Sequence, residues 1–124
     1  MKILLVDDSR TIRNIQKNVL AQMGYTDILE AGDGVEALKL LESEAPDLAL
    51  VDWNMPNMDG LTLVGRIRQK DTALPLIMVT TEAEKGRVIE AIKAGVNNYL
   101  VKPFTGEVLS AKIEQTLTKA KTSA

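Results

Sequence analysis

The sequence predicts an α/β protein: a doubly wound (βα)5 unit of three layers, with a five-stranded parallel sheet between helices. Three observations carry that expectation. Five short apolar runs alternate with five longer segments whose apolar residues recur every three or four positions. The short runs are apolar throughout rather than alternating, as in strands covered on both faces. Gly24, Pro46 and Gly95 fall where the helices would have to stop.

Element by element, Lys2 to Val6 reads as a buried strand. Ile12, Ile15, Val19 and Met23 mark the inner stripe of a first helix, and Gly24 stops it. TDILEA (26–31) is a second, weaker strand. In DGVEALKLLESEAP (33–46), Val35, Leu38 and Leu41 form a helical stripe that Pro46 ends. DLALVD (47–52) is a third strand, and WNMPNMDG (53–60) is a loop by its Asn, Pro and Gly content. Leu61, Val64 and Ile67 mark the third helix, and LPLIMVT (74–80) the fourth strand. Val88, Ile89 and Ile92 mark the fourth helix, closed by Gly95 as a left-handed cap. NNYLV (97–101) is the fifth strand. Val108, Leu109, Ile113 and Leu117 line the last helix, and KAKTSA (119–124) reads as a fraying tail. No linker or repeat interrupts this series, so residues 1–124 read as one domain.

Composition narrows the chemistry. Hydrophobic residues make up 45% of the chain and aromatics only 3%, so the core is aliphatic. The net charge is -2 with Lys and Arg scattered, which argues against a nucleic-acid partner. No run nears the ~20 apolar residues of a membrane span, and acids after Val6 interrupt any secretory signal. A cytoplasmic protein without membrane contact is therefore expected. Cysteine and histidine are both absent. That removes disulfides, thiolate chemistry, Ser-His-Asp catalysis and the usual zinc ligands.

In open parallel sheets, ligands sit beyond the carboxyl ends of the strands. The first strand ends at Asp7-Asp8, the third at Asp52, the fourth at Thr80-Thr81 and the fifth at Lys102-Pro103. Two like charges ~4 Å apart repel by ~4 kcal/mol at an effective dielectric of ~20. Lys102 alone offsets only part of the repulsion among Asp7, Asp8 and Asp52. A hard divalent cation offsets the rest, and oxygen ligands favour Mg²⁺, or Mn²⁺, over zinc. Mg²⁺ beside a lysine and a threonine suits a phosphoryl group. Asp52 is the best candidate nucleophile, because it ends the central strand and opens a loop, and a carboxylate can form an acyl phosphate.

The set VDD, LVDWNMPNMDG, VTTEA and YLVKPF, in this order and spacing, resembles the receiver domain of bacterial response regulators, above all the single-domain chemotaxis regulators. The resemblance spans essentially the whole chain. It implies a flavodoxin-like sheet of order 2-1-3-4-5 and a phosphoryl group passed to Asp52 from a histidine kinase. It implies that Asp8 binds Mg²⁺ directly and Asp7 mostly through water, with Asp52 and the backbone carbonyl of Asn54 as further ligands. Lys102 would pair with the phosphoryl group, and the Lys102-Pro103 bond would be cis. Thr80 would supply the switch hydroxyl, and Tyr99 the aromatic that turns inward when Thr80 moves. Lys85, Val88, Tyr99, Val101, Thr105, Val108 and Lys112 match a partner-binding face, whose target by resemblance is a protein such as the flagellar motor switch. The resemblance also implies a monomer that phosphorylates and dephosphorylates itself without being a turnover enzyme, with a phosphatase as a further partner. Thr81, bulkier than the family's usual residue, would slow small phosphodonors or attacking water, whereas Asn54 and Glu82 match a pattern of rapid self-dephosphorylation; the two pull opposite ways and leave the lifetime of the phosphorylated state open.

Plainer readings stand beside these. Asp7 and Asp8 also suit a helix N-terminus. Thr80 suits a core hydroxyl, Tyr99 a half-buried aromatic and Lys102 a solvated lysine. Asp33 and Asp59, each before a helix, read as caps. Asp27 and Asp47 begin strands at the opposite edge, and Trp53 reads as a partly exposed loop aromatic. The functional alternatives are a phosphorelay intermediate or phosphate sink, a binding module indifferent to phosphate, and an aspartate-nucleophile phosphatase of the haloacid-dehalogenase type, which wants an acid where Asn54 stands.

Overall fold

A computed structural model describes residues 1–81 and 85–122. Glu82 and the side chain of Lys85 lie outside the described residues. Strands β1 (Lys2–Val6), β2 (Asp27–Ala31), β3 (Leu48–Asp52), β4 (Leu76–Thr80) and β5 (Asn98–Val101) alternate with helices α1 (Arg10–Gln22), α2 (Gly34–Ser43), α3 (Gly60–Lys70), α4 (Lys85–Ala94) and α5 (Gly106–Thr122). The strands form one parallel sheet of order β2-β1-β3-β4-β5. From β1 the chain runs outward to β2, then crosses back to β3. The direction of winding thus reverses between β1 and β3, where a crevice opens at the carboxyl edge.

Alternation along the strands splits the core in two. Leu4, Val6, Ala49, Val51, Leu76 and Met78 face α2, α3 and α4, packing with Ala37, Leu63, Val64, Ile67 and Ala91. Ile3, Leu5, Leu48, Leu50, Ile77 and Val79 face α1 and α5, packing with Leu20, Leu109 and Ile113. Both faces are thus covered, which is why these strands carry apolar residues in succession. Gly24 and Gly95 follow α1 and α4 at φ +90° and +115°, and α2 ends at Ser43, before Pro46. Among the described residues, no helix is long and apolar enough to cross a membrane.

The helical stripes differ from expectation in detail. In α1 the buried residues are Gln16 and Leu20, while Ile15 faces solvent. In α2 they are Gly34 and Ala37, and Val35 is exposed. In α4 Ala91 is buried, Val88 is half-buried, and Ile89 and Ile92 are exposed. In α2 and α4 the sheet-facing positions are held by small residues, Gly34, Ala37 and Ala91, which allow close approach; in α1 they are held by Gln16 and Leu20. In α5 Leu109 and Ile113 are buried but Val108 is exposed, and the helix continues through Thr122 where the sequence suggests fraying. Trp53 is not a partly exposed loop residue: at 2% exposure it belongs to the core.

Asp33 and Asp59 cap α2 and α3, accepting from Glu36 N and Thr62 N at 2.8 Å each. Immediately after Asp59, Gly60 N donates to Trp53 O at 2.8 Å. A Cβ on Gly60 would collide with Asp52 O and meet Trp53 Cα at 2.8 Å, backbone atoms that cannot yield as a flexible side chain would. A Cβ on Gly65, in the same helix, meets nothing within 4 Å. Urea unfolding should therefore show Gly60→Ala losing about 3 kcal/mol or more. Gly65→Ala should gain about 0.5–1 kcal/mol from helix propensity. Equal effects at the two sites would contradict the close approach at Gly60.

Candidate functional site

Ladder register carries the polar residues to one edge. Val6 pairs with Val51, so the next residues along these strands, Asp7 and Asp52, stand side by side. Asp52 pairs with Val79, and Val79 O accepts Trp53 N at 2.9 Å. Thr80 is the next residue on β4, and its carbonyl accepts Lys102 N at 2.7 Å. Each side chain is thus placed by a backbone bond at or beyond a strand end. Lys102, in turn, precedes Pro103 through a cis peptide.

The side chains close the arrangement. Lys102 Nζ donates to Asp52 Oδ1 at 3.0 Å and to Asp7 Oδ2 at 3.2 Å. Asp7 and Asp52 are 1% and 5% exposed, whereas Asp8 is open to solvent. One carboxylate oxygen from each of Asp7, Asp8 and Asp52 lies within 4.8 Å of the others. The donor set is all oxygen, with one carboxylate reachable from water, and it fits a hard divalent cation such as Mg²⁺. Asp7 Oδ1 accepts Ser9 N at 2.9 Å, and its carbonyl accepts the Arg13 guanidinium. Arg13 is itself held by Glu30 at 3.0 Å. Ser9, rather than Asp7 or Asp8, caps α1 through Ile12 N at 3.2 Å.

The remaining sequence candidates fall in two places. Thr80 is fully buried beside the cluster, Thr81 is exposed, and Asn54 is exposed in the loop after Asp52. Tyr99 pairs with Met78 across β4 and β5 and is half-buried, its hydroxyl out of solvent. Val101, Thr105 and Val108 are exposed and Lys112 is half-buried, on β5, the segment after it and α5. Sequence reasoning missed Arg13, whose link to Asp7 follows from α1 geometry. It also missed Arg87, whose guanidinium carbon lies 5.0 Å from the Trp53 ring centroid.

A doubly wound sheet with an acidic cluster and a lysine at its switch point defines a class, and comparison with known families names it. Residues 3–114 match the response regulator receiver domain, and the chain belongs to that family. Its relatives include the chemotaxis protein CheY1 of Helicobacter pylori, 53% identical over 94% of this chain and 97% of that protein. The CheY homolog of Campylobacter jejuni is 54% identical over 94% of this chain and 92% of that one. Among solved structures, a CheY-like receiver domain from Methanospirillum hungatei superposes with TM-score 0.90 at 30% identity, covering 99% and 98% of the two chains. CheY4 of Vibrio cholerae gives 0.87 at 34% identity, covering 93% and 97%.

Electrostatics distinguish the two buried partners. Burial raises the Asp52 carboxyl above its ordinary 3.8; the Lys102 hydrogen bond opposes this, and the charges of Asp7 and Asp8 add to it. Burial alone would lower Lys102, but its bond to Asp52 and the charges of Asp7 and Asp52 outweigh that and raise it above 10.5. Lys102 is therefore firmly cationic at neutral pH. The folded state favours protonated Asp52, so the stability this group contributes is present in acid. It is lost as pH rises from 3.8 through the raised value. In EDTA at pH 7, Asp52→Asn should be more stable than wild type by on the order of 1–2 kcal/mol. Urea curves repeated near pH ~4 should show that gain shrinking. A destabilised Asp52→Asn at pH 7 would contradict this balance of charges.

Proposed function

We propose that the chain is a response regulator of a two-component chemotaxis pathway and receives a phosphoryl group on Asp52 from a phosphohistidine of a separate kinase. The carrying observation is the convergence of Asp7, Asp8 and Asp52 on Lys102, in a family member whose chemotaxis relatives it matches over nearly its whole length. An Asp52 oxygen attacks phosphorus. An O–P bond forms while the P–N bond to the donor imidazole breaks, and that electron pair leaves with the imidazole. These 124 residues hold no histidine, so the donor imidazole lies outside them. Its raised pKa makes the Asp52 carboxylate more basic, which favours attack once it is ionised. Asp8 and Asp52, with Asp7 through water and the Asn54 carbonyl, would hold Mg²⁺, which would supply charge screening for the phosphoryl oxygens. Lys102 moves from its bond with Asp52 onto those oxygens.

Phosphorylation adds a charge of about −1.5 to −2 beside Thr80. The Thr80 hydroxyl binds the new oxygens, and Tyr99 follows as the adjoining aromatic on β5. A surface on α4, β5 and α5 reads the change through Val88, Tyr99, Val101, Thr105, Val108 and Lys112. Ile89 and Ile92, 43% and 60% exposed, enlarge its apolar content. A two-state equilibrium biased by phosphate suits binding to a target such as the flagellar motor switch. The protein acts as a cytoplasmic monomer whose only chemistry is on its own Asp52.

Intact-mass measurement after incubation with acetyl phosphate and Mg²⁺ tests the reading. Wild type should gain a labile adduct of ~80 Da, and Asp52→Asn should gain none. A phosphorylated histidine kinase serves as second donor, because Thr81 beside the site slows small donors. No adduct from either donor would overturn the proposal.

A further inference from the structure

The loop between Asp52 and α3 is held at a point away from the carboxylates. Its base is fixed by Trp53 N on Val79 O at 2.9 Å and by Gly60 N on Trp53 O at 2.8 Å. Its far side turns at Asn57, where Met58 N donates to Pro56 O at 2.7 Å. A bond spanning one residue, with Asn57 at φ +69°, has the hallmarks of the strained γ-turn with positive φ. Asn57 is the one described non-glycine residue with positive φ. Such a conformation persists only where its surroundings enforce it.

Two contacts from the start of α2 do so. Asn57 Nδ2 donates to Asp33 Oδ2 at 3.0 Å. The other oxygen of the same carboxylate, Oδ1, caps α2 through Glu36 N. One side chain thus ties the turn to the end of a helix. Next to it, Met58 lies on Gly34 so closely that a Cβ there would meet Met58 Sδ at 2.8 Å and Met58 Cβ at 2.9 Å. Asn54 and Met55 are therefore strung between two anchors, the strand end at Trp53 and the turn at Pro56–Met58.

The geometry points to Asp33 and Asn57 as positioning residues for the metal site: their bond holds the turn that presents the Asn54 backbone carbonyl to the cation shared by Asp7, Asp8 and Asp52. This rests on the reading of that cluster as an Mg²⁺ site. Neither residue touches the ion; each acts through the backbone of the loop. Supporting groups of this kind typically alter metal affinity by ten- to a hundredfold.

The test is a Mg²⁺ titration of the full chain, followed by fluorescence of Trp53, its sole tryptophan, and by the shift of the thermal midpoint with MgCl₂. Asn57→Ala loses the amide bond, keeps the strained φ and changes no charge; Mg²⁺ affinity should fall about tenfold. Asp33→Ser keeps a capping oxygen for Glu36 N but lacks the second oxygen, and should fall similarly. The double variant should be no weaker than the weaker single one, because both break the same bond. Asn57→Gly should recover most of the Asn57→Ala loss, since glycine adopts positive φ freely. Melting curves without Mg²⁺ check that each variant is folded. Wild-type affinity in Asn57→Ala and Asp33→Ser, with affinity lost in Asp8→Ala, would overturn the positioning role and leave the metal reading intact. Unchanged affinity in Asp8→Ala as well would overturn the metal reading, and the positioning role with it.

Discussion

The structure depends on a charge imbalance kept where the sheet changes its direction of winding. Asp7, Asp8 and Asp52 bring three negative charges to one point, and Lys102 returns one positive charge. Two of these carboxylates are nearly sealed from water, so solvent screens them poorly. A fold that needed only stability would not arrange itself so. The imbalance is tolerated because two well-packed hydrophobic layers fix the strands on either side. The ladder then leaves the side chains no means of separating. Cation and phosphoryl binding, on the proposed reading, both act on this preset repulsion.

From that point two kinds of connection leave the site. Rigid ones run through backbone: Lys102 N to Thr80 O, Trp53 N to Val79 O, Gly60 N to Trp53 O. These fix where the reacting groups are. Softer ones run through side chains: the Arg87 guanidinium over Trp53 and the Asn57 amide on Asp33. At the far end of α4 the contacts are denser. Arg68 donates to Gly95 O, to Asp71 O and to Asn97 Oδ1 at 2.9 to 3.0 Å, and Asn97 Oδ1 also accepts Leu76 N. Helix α4 is thus firmly tied at its C-terminus, next to β5. Near its start, Arg87 stacks on Trp53, the residue that follows Asp52.

Much of this was legible in the sequence, for identifiable reasons. Strand positions follow from apolar runs whose length matches a strand and whose lack of alternation requires two covered faces. The site follows from polar residues that end those runs, since a parallel sheet has only one carboxyl edge. Asp33 and Asp59 were readable as caps because capping is a local interaction. What sequence patterns do not carry is long-range geometry. Nothing local shows that Trp53 is drawn into the core, that Asn57 reaches Asp33 across 24 positions, or that Arg13 bonds the Asp7 carbonyl. The strand order, too, came from family resemblance rather than from periodicity.

The helical stripes that failed are instructive in the same way. A periodic pattern identifies a helix but counts every apolar residue as inward. Val35, Ile89 and Ile92 break that rule, and small residues, Gly34, Ala37 and Ala91, take the sheet-facing positions. Small inward residues let a helix axis approach the sheet closely, at the cost of the grip that larger side chains would supply. Isolated exposed apolar residues need no special explanation. Two on one face of α4, three positions apart, are a different matter, because that helix starts beside the site and ends on the Arg68 clamp. On the proposed reading, a helix that meets its sheet through a small residue and shows apolar side chains to solvent is suited to being repositioned by events at Asp52 and to being covered by a partner. Local consistency gives way most readily where a protein must do more than fold, and on the proposed reading α4 is such a place.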